Sequence, residues 1–181
     1  NLRMDHANTD LATASVPPLS TQPLRFVMPS VQSHTLANGT RVRLIPAPNE
    51  DILSISIGLD TGAVHDEIAG ETTFTARMLT RGTTRYSPDA FAEAAESRGC
   101  SISSSATYDV TTLTGVGLAE HADAMLELMV ESITSPGFDT AEVDRERQKR
   151  IADLMMNADD PEMLAVWASM HAAYHGHPYG R

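Results

Sequence analysis

The chain holds one cysteine, Cys100, in 181 residues. A single thiol excludes an internal disulfide and any multi-cysteine zinc site, and its plainest role is that of a small buried core residue. The scarcity does not fix a compartment, because large exported bacterial proteins often lack disulfides. Positive charge is scarce too: 13 Lys and Arg stand against 24 Asp and Glu, a formal net charge of −11. That imbalance repels a phosphate backbone or an anionic membrane surface and removes nucleic acid as an expected partner. No apolar run approaches the ~20 residues of a membrane-spanning helix. No charged segment followed by an apolar one, the mark of a signal peptide, is visible at the start, and there is no internal repeat or low-complexity tract. What remains, 41% hydrophobic and 20% charged residues, suits a soluble globular protein long enough to bury a core.

Residues 1–30 are polar, rich in Pro, Ser and Thr, and without periodicity. They read as an extended lead-in ahead of one domain at 31–181. The lead-in resembles the mature terminus of an exported bacterial protein, so a periplasmic or otherwise exported location is expected, with any signal removed before Asn1. Two short alternating runs flank Asn38-Gly39, a strong hairpin signal. Leu53, Ile55 and Ile57 alternate with Ser54 and Ser56 in a third strand. A helix is expected from Gly70 to Leu79, and Ser87-Pro88 caps another that Gly99 ends. Two further strands, SISSSATYD and VTTLTGVGL, precede three helices broken at Pro136-Gly137 and Pro161. This order predicts an α+β fold, an antiparallel sheet covered by helices on one side.

The stretch AGETTFTARMLTRGT, Ala69 to Thr83, has the frame of a helix between two glycines, yet it has no histidine and one carboxylate. With LANGTRVRLIP in the hairpin, SPGFDTAEVDRERQKRIADL opening a long helix, DDPE starting the next and HPYGR after it, it resembles the pitrilysin, insulinase and mitochondrial processing peptidase family. These are zinc endopeptidases with an inverted H-x-x-E-H signature. The resemblance covers roughly residues 30–181 and rests on the shared order and spacing of these motifs. It implies a domain of ferredoxin-like character whose sheet edge can hold an extended peptide by strand addition. Family chains continue through further strands and a second similar domain, so 31–181 is expected to be an incomplete N-terminal domain.

In active members the first helix carries two zinc-binding histidines on one face, with a glutamate before the second to activate water. The family frame puts Thr73 at the first histidine, Ala76 at the glutamate and Arg77 at the second histidine. On the long helix it puts Asp153 at the third ligand, a glutamate in the family, and Glu146 at an accessory acidic position. Without two imidazoles no neutral nitrogen pair holds zinc, and without zinc the pKa of the attacking water stays near 15.7 instead of about 7. Ala76 cannot take a proton, a loss of roughly 10²–10⁴-fold in general-base catalysis. Arg77 would repel a dication. No metal or cofactor is therefore expected. The resemblance implies a catalytically inactive homologue, a partner subunit that binds peptide substrate or supports an active H-x-x-E-H subunit.

Other readings stand beside this one. Arg77 pairs with Asp153, Glu146 or both, a fixed cation in place of zinc; or Glu146, Arg150 and Asp153 form ordinary ion pairs along their own helix. His171, His175 and His177 could hold a relocated metal in a metal-dependent peptidase, and a purely structural subunit is the third possibility. His65 and His121 read as surface residues. Met125, Met129, Met155, Met156 and Met170 read as core by their helical spacing, and the charges from Asp139 to Asp153 as a solvated helix face.

Overall fold

The computed structural model describes residues 28–180, so most of the polar lead-in at 1–30 lies outside the described residues. The chain divides into two compact units, Asn1–Pro48 and Asn49–Arg181. In the first, β1 (Gln32–Thr35) and β2 (Arg41–Leu44) pair antiparallel, with Gln32 opposite Leu44 and Thr35 opposite Arg41. The turn closes where the Leu36 N–H donates to the Thr40 carbonyl at 2.9 Å. Gly39 supplies the positive φ of 86° that this turn requires.

The second unit is built on a three-stranded antiparallel sheet in the order β3 (Ile52–Leu59), β5 (Thr111–Leu118), β4 (Ser101–Ala106). Alternation gives the sheet two chemically different faces. Leu53, Ile55 and Ile57 point to the same side as Leu113 and Ile102, where they join Phe91, Met125 and Met129 in one hydrophobic core. On the other side Ser54 lies opposite Val116 and Ser56 opposite Thr114, a surface rich in hydroxyls. The expected α+β arrangement, an antiparallel sheet with helices over one face, is the one found. Glycine at 115 makes close helix packing possible: a Cβ there would lie 2.6 Å from Met129 Sδ and 3.0 Å from Met125 Sδ.

Five α-helices are present among the described residues: α1 (Glu71–Met78), α2 (Pro88–Glu96), α3 (Ala122–Thr134), α4 (Thr140–Ala158) and α5 (Pro161–Ala173). Caps explain most of their starts. Ser87 accepts from the Ala90 N–H, Asp139 from those of Ala141 and Glu142, and Asp160 from that of Glu162. Pro88 and Pro161 occupy the first helical turn, where no N–H partner is needed. Helix α1 begins differently. Gly70 precedes it at φ 93° with no capping side chain of its own. Asp66, four residues upstream, instead accepts from the backbone N–H groups of Gly70 and Thr72, each at 3.0 Å.

The methionines divide. Met125 and Met129 of α3 are fully buried, as their spacing predicts, but Met155 and Met156 of α4 are 64% and 73% exposed. The correction has a simple cause: α4 packs on α1 and α5, and that packing leaves these two residues uncovered. No helix among the described residues is long and apolar enough to cross a membrane.

Candidate functional site

Helices α1 and α4 cross at a cluster of four charged side chains. Arg77 lies in the last turn of α1 and Arg81 four residues on, in the turn that follows the helix. On α4, Glu146 and Asp153 are seven apart, two turns, and share a face. The guanidinium of Arg77 donates to Glu146 Oε1 at 2.9 Å and lies 3.5 Å from Asp153 Oδ2. Arg81 lies 3.6 Å from the second Glu146 oxygen. Glu146 is the buried member, with a side chain only 4% exposed, whereas Asp153 and both arginines keep partial contact with solvent. Each oxygen of the buried carboxylate therefore faces its own cation, which a buried charge requires.

The arrangement answers the choice between pairing across helices and pairing along one. Among the described residues Arg150 forms no ion pair, and both carboxylates turn to α1 instead. The charged run from Asp139 to Asp153 is not a uniformly solvated face either: Glu142 and Glu146 are buried. Glu142 is tucked beside the N-cap of α4 and pairs with Arg145 one turn on. Thr73 is half-buried one turn before Arg77. Ala76 is buried against the sheet, where its carbonyl oxygen accepts from the Ser104 hydroxyl of β4. That bond ties α1 to the outer strand of the sheet.

Local sequence explains the turn that follows α1. Gly82 follows at φ 99°, and a Cβ there would meet the Tyr86 carbonyl oxygen at 2.9 Å. Thr83 is buried, accepts from the Arg85 and Tyr86 N–H groups, and donates to Glu131 of α3 at 2.8 Å. The Arg-Gly-Thr stretch thus anchors one arginine to α4, turns the chain, and fastens the turn to α3.

The three histidines of the relocated-metal reading do not converge. His171 Nδ1 donates to the Gly180 carbonyl oxygen at 3.0 Å, and its ring meets that of His175 edge-on at 5.7 Å. The His177 ring instead packs 4.6 Å from Tyr179, and its Nδ1 accepts the Tyr179 N–H. Among the described residues no group of three His, Cys, Asp or Glu side chains could hold a metal ion. His65 is exposed and His121 half-buried.

Sequence reasoning did not single out Arg81, the Asp66 cap or Tyr179. The phenol of Tyr179 donates to both Asp109 oxygens, at 2.6 and 2.8 Å, joining the turn after α5 to the turn between β4 and β5. That hydrogen bond, with smaller contributions from burial and from the Asp109 charge, raises the Tyr179 pKa above 10.0. The signal was present in HPYGR, but its partner lies 70 residues away.

Residues 41–181 match the family described as Insulinase (Peptidase family M16). The chain belongs to that family. Among M16 relatives, the uncharacterized zinc protease YmxG of Bacillus subtilis is 25% identical over 152 residues, covering 83% of this chain and 37% of that protein. The probable mitochondrial-processing peptidase subunit alpha-2, chloroplastic/mitochondrial, of Arabidopsis thaliana is 28% identical over 173 residues, covering 93% and 34%. The chain thus spans about a third of the length of these relatives. Among solved structures, the peptidase M16 inactive domain from Pseudomonas fluorescens superposes with a TM-score of 0.79 at 23% identity, over 83% of this chain and 37% of that one. At that identity the likeness establishes the fold.

Zinc is the metal this family implies, and the residues here do not fit it. A dication needs neutral or anionic donors. The α1 side of the cluster offers a hydroxyl at Thr73 and two guanidinium groups, whose donors already engage the carboxylates of α4.

Proposed function

We propose that this M16 chain is a non-catalytic family member that binds extended peptide and supports an active subunit carrying H-x-x-E-H. The observation that carries the proposal is the Arg77 guanidinium between Glu146 and Asp153. A permanent cation held in salt bridges leaves no room or affinity for a second one, and Ala76 provides no base beside it. The peptide-binding half is supported by the outer strand. Among the described residues β4, one of the two outer strands of its sheet, pairs with β5 alone, so its outward N–H and C=O groups are available to an added strand. The Ser104 hydroxyl fixes that strand against α1.

The test measures metal content and peptide cleavage for the chain alone and with a co-purified H-x-x-E-H subunit. Peptide binding without cleavage by the chain alone is expected, with the partner's activity increased in the mixture. Stoichiometric zinc together with cleavage by the isolated chain would overturn the proposal. A partner whose activity is unchanged by stable binding would reduce the chain to a structural subunit.

A further inference from the structure

Beside the charged cluster, α1, α4 and α5 line an open cavity of about 910 Å³. Its walls are mainly apolar: Ile68 and Phe74 on the α1 side, Leu154 on α4 and Trp167 on α5. Into this wall comes one cation, Arg150. Within the second unit, Arg77, Arg81, Arg85, Arg145 and Arg147 all engage carboxylates, and Arg98 donates to the Ala94 carbonyl. Arg150 is half-buried, and among the described residues it has neither a carboxylate within ion-pair distance nor a hydrogen-bond acceptor. In a chain with eleven more acidic than basic groups, Arg150 is a half-buried guanidinium that no internal carboxylate neutralises, open to an anion from outside. Glu71 also lines the cavity but is exposed in the first turn of α1, where solvent and the helix N-terminus accommodate its charge.

We infer that this cavity holds the C-terminal residue of a peptide, with the free carboxylate on Arg150 and a bulky apolar side chain against Phe74, Leu154 and Trp167. The planar fork of arginine matches a carboxylate with two parallel N–H···O bonds. The apolar walls recognise what is attached to it. A C-terminal residue carries the carboxylate and an apolar side chain on the same Cα, so it meets Arg150 and the apolar walls together, whereas an internal Asp or Glu supplies the anion without the apolar group. The inference rests on the peptide-binding function proposed above and names the class of peptide. It is consistent with the placement of the outer strand, because Phe74 and Thr75 line the cavity while Ala76 in the same turn of α1 is bonded to β4.

Trp167 is the chain's single tryptophan, so its fluorescence reports on this cavity alone. The experiment titrates the 181-residue chain with an acetylated hexapeptide ending in phenylalanine, as the free acid and as the C-terminal amide, and with the same acid ending in serine. A saturable Trp167 signal is expected, with the phenylalanine acid binding about 10- to 100-fold tighter than the amide, as loss of a charge-assisted hydrogen-bond pair implies. Arg150→Gln lowers acid affinity to that of the amide, and Arg150→Lys restores part of the difference. Because Arg150 makes no ion pair, far-UV circular dichroism of the glutamine variant should match the parent. Equal affinity for acid and amide, or an Arg150→Gln variant that keeps the preference, overturns the carboxylate assignment while leaving peptide binding intact. Absence of binding by all three peptides overturns both.

Discussion

Replacing Arg77 by methionine separates a structural cation from an incidental surface pair. In the parent, Glu146 Oε1 takes a 2.9 Å hydrogen bond from Arg77, and its other oxygen faces Arg81 at 3.6 Å. The glutamate side chain is 4% exposed, so water cannot replace a lost donor. Removing one partner of a buried charge pair typically costs about 3–5 kcal/mol. Arg81 remains as a weaker, longer contact, and Asp153 is exposed enough to be rehydrated. The expected loss for Arg77→Met is therefore about 2–3 kcal/mol. Glu146→Leu costs less, because Arg77 and Arg81 are both part-exposed and can turn to solvent, and Arg77 keeps Asp153. The double variant recovers most of the Arg77→Met loss, since replacing both members with apolar groups removes the stranded charge. Urea denaturation of the four proteins gives the coupling energy. An Arg77→Met loss below about 0.5 kcal/mol, the usual range for surface substitutions, or a double variant less stable than both single ones, refutes the reasoning.

Further outcomes follow from other contacts. Tyr179 has its pKa raised chiefly by its bond to Asp109, so the stability it contributes is complete below the unfolded pKa of about 10 and is lost as pH rises through the folded value. Absorbance titration of the four tyrosines should show one late ionisation that returns to the ordinary range in Asp109→Asn; an unchanged curve contradicts the assignment. Gly62→Ala places a Cβ 2.3 Å from the Tyr108 carbonyl oxygen, and a backbone clash of that kind should cost about 1–3 kcal/mol or more in thermal or urea unfolding, whereas parent-like stability would mean the two segments are not in contact. Installing the family residues through Thr73→His, Ala76→Glu, Arg77→His and Asp153→Glu together is expected to give about one zinc per chain by elemental analysis; a variant that folds but binds none would show that α1 and α4 lack the required spacing.

What the sequence revealed was local. The starts of α2 and α5 were legible in Ser87-Pro88 and Asp160-Pro161, because a cap and a first-turn proline act within four residues. The facing of β3 was legible because alternation reports burial of one face directly. Motif order also suggested that Arg77 on one helix could meet Glu146 and Asp153 on another, and the ion pairs between them are present. What escaped required knowing which helix faces meet. Glu146 is charged and lies among charges, so nothing in its own helix predicts that it is buried; the packing of α1 decides it. Met155 and Met156 have core-like chemistry but are left exposed on α4. Asp66 caps a helix from outside the usual position, and Gly70 alone gave no sign of that.

The Arg77 contact also changes what can loosen the grip of α1 on α4. Two elements joined through a bound metal separate when the ion is scarce or sequestered, so their union follows metal supply and chelator concentration. Here the bridging cation is carried on the chain itself. It cannot dissociate, exchange or be competed away. The bridge that Arg77 makes between these two helices therefore needs no metal supply, and their spacing is expected to survive a chelator that would strip a zinc-dependent relative.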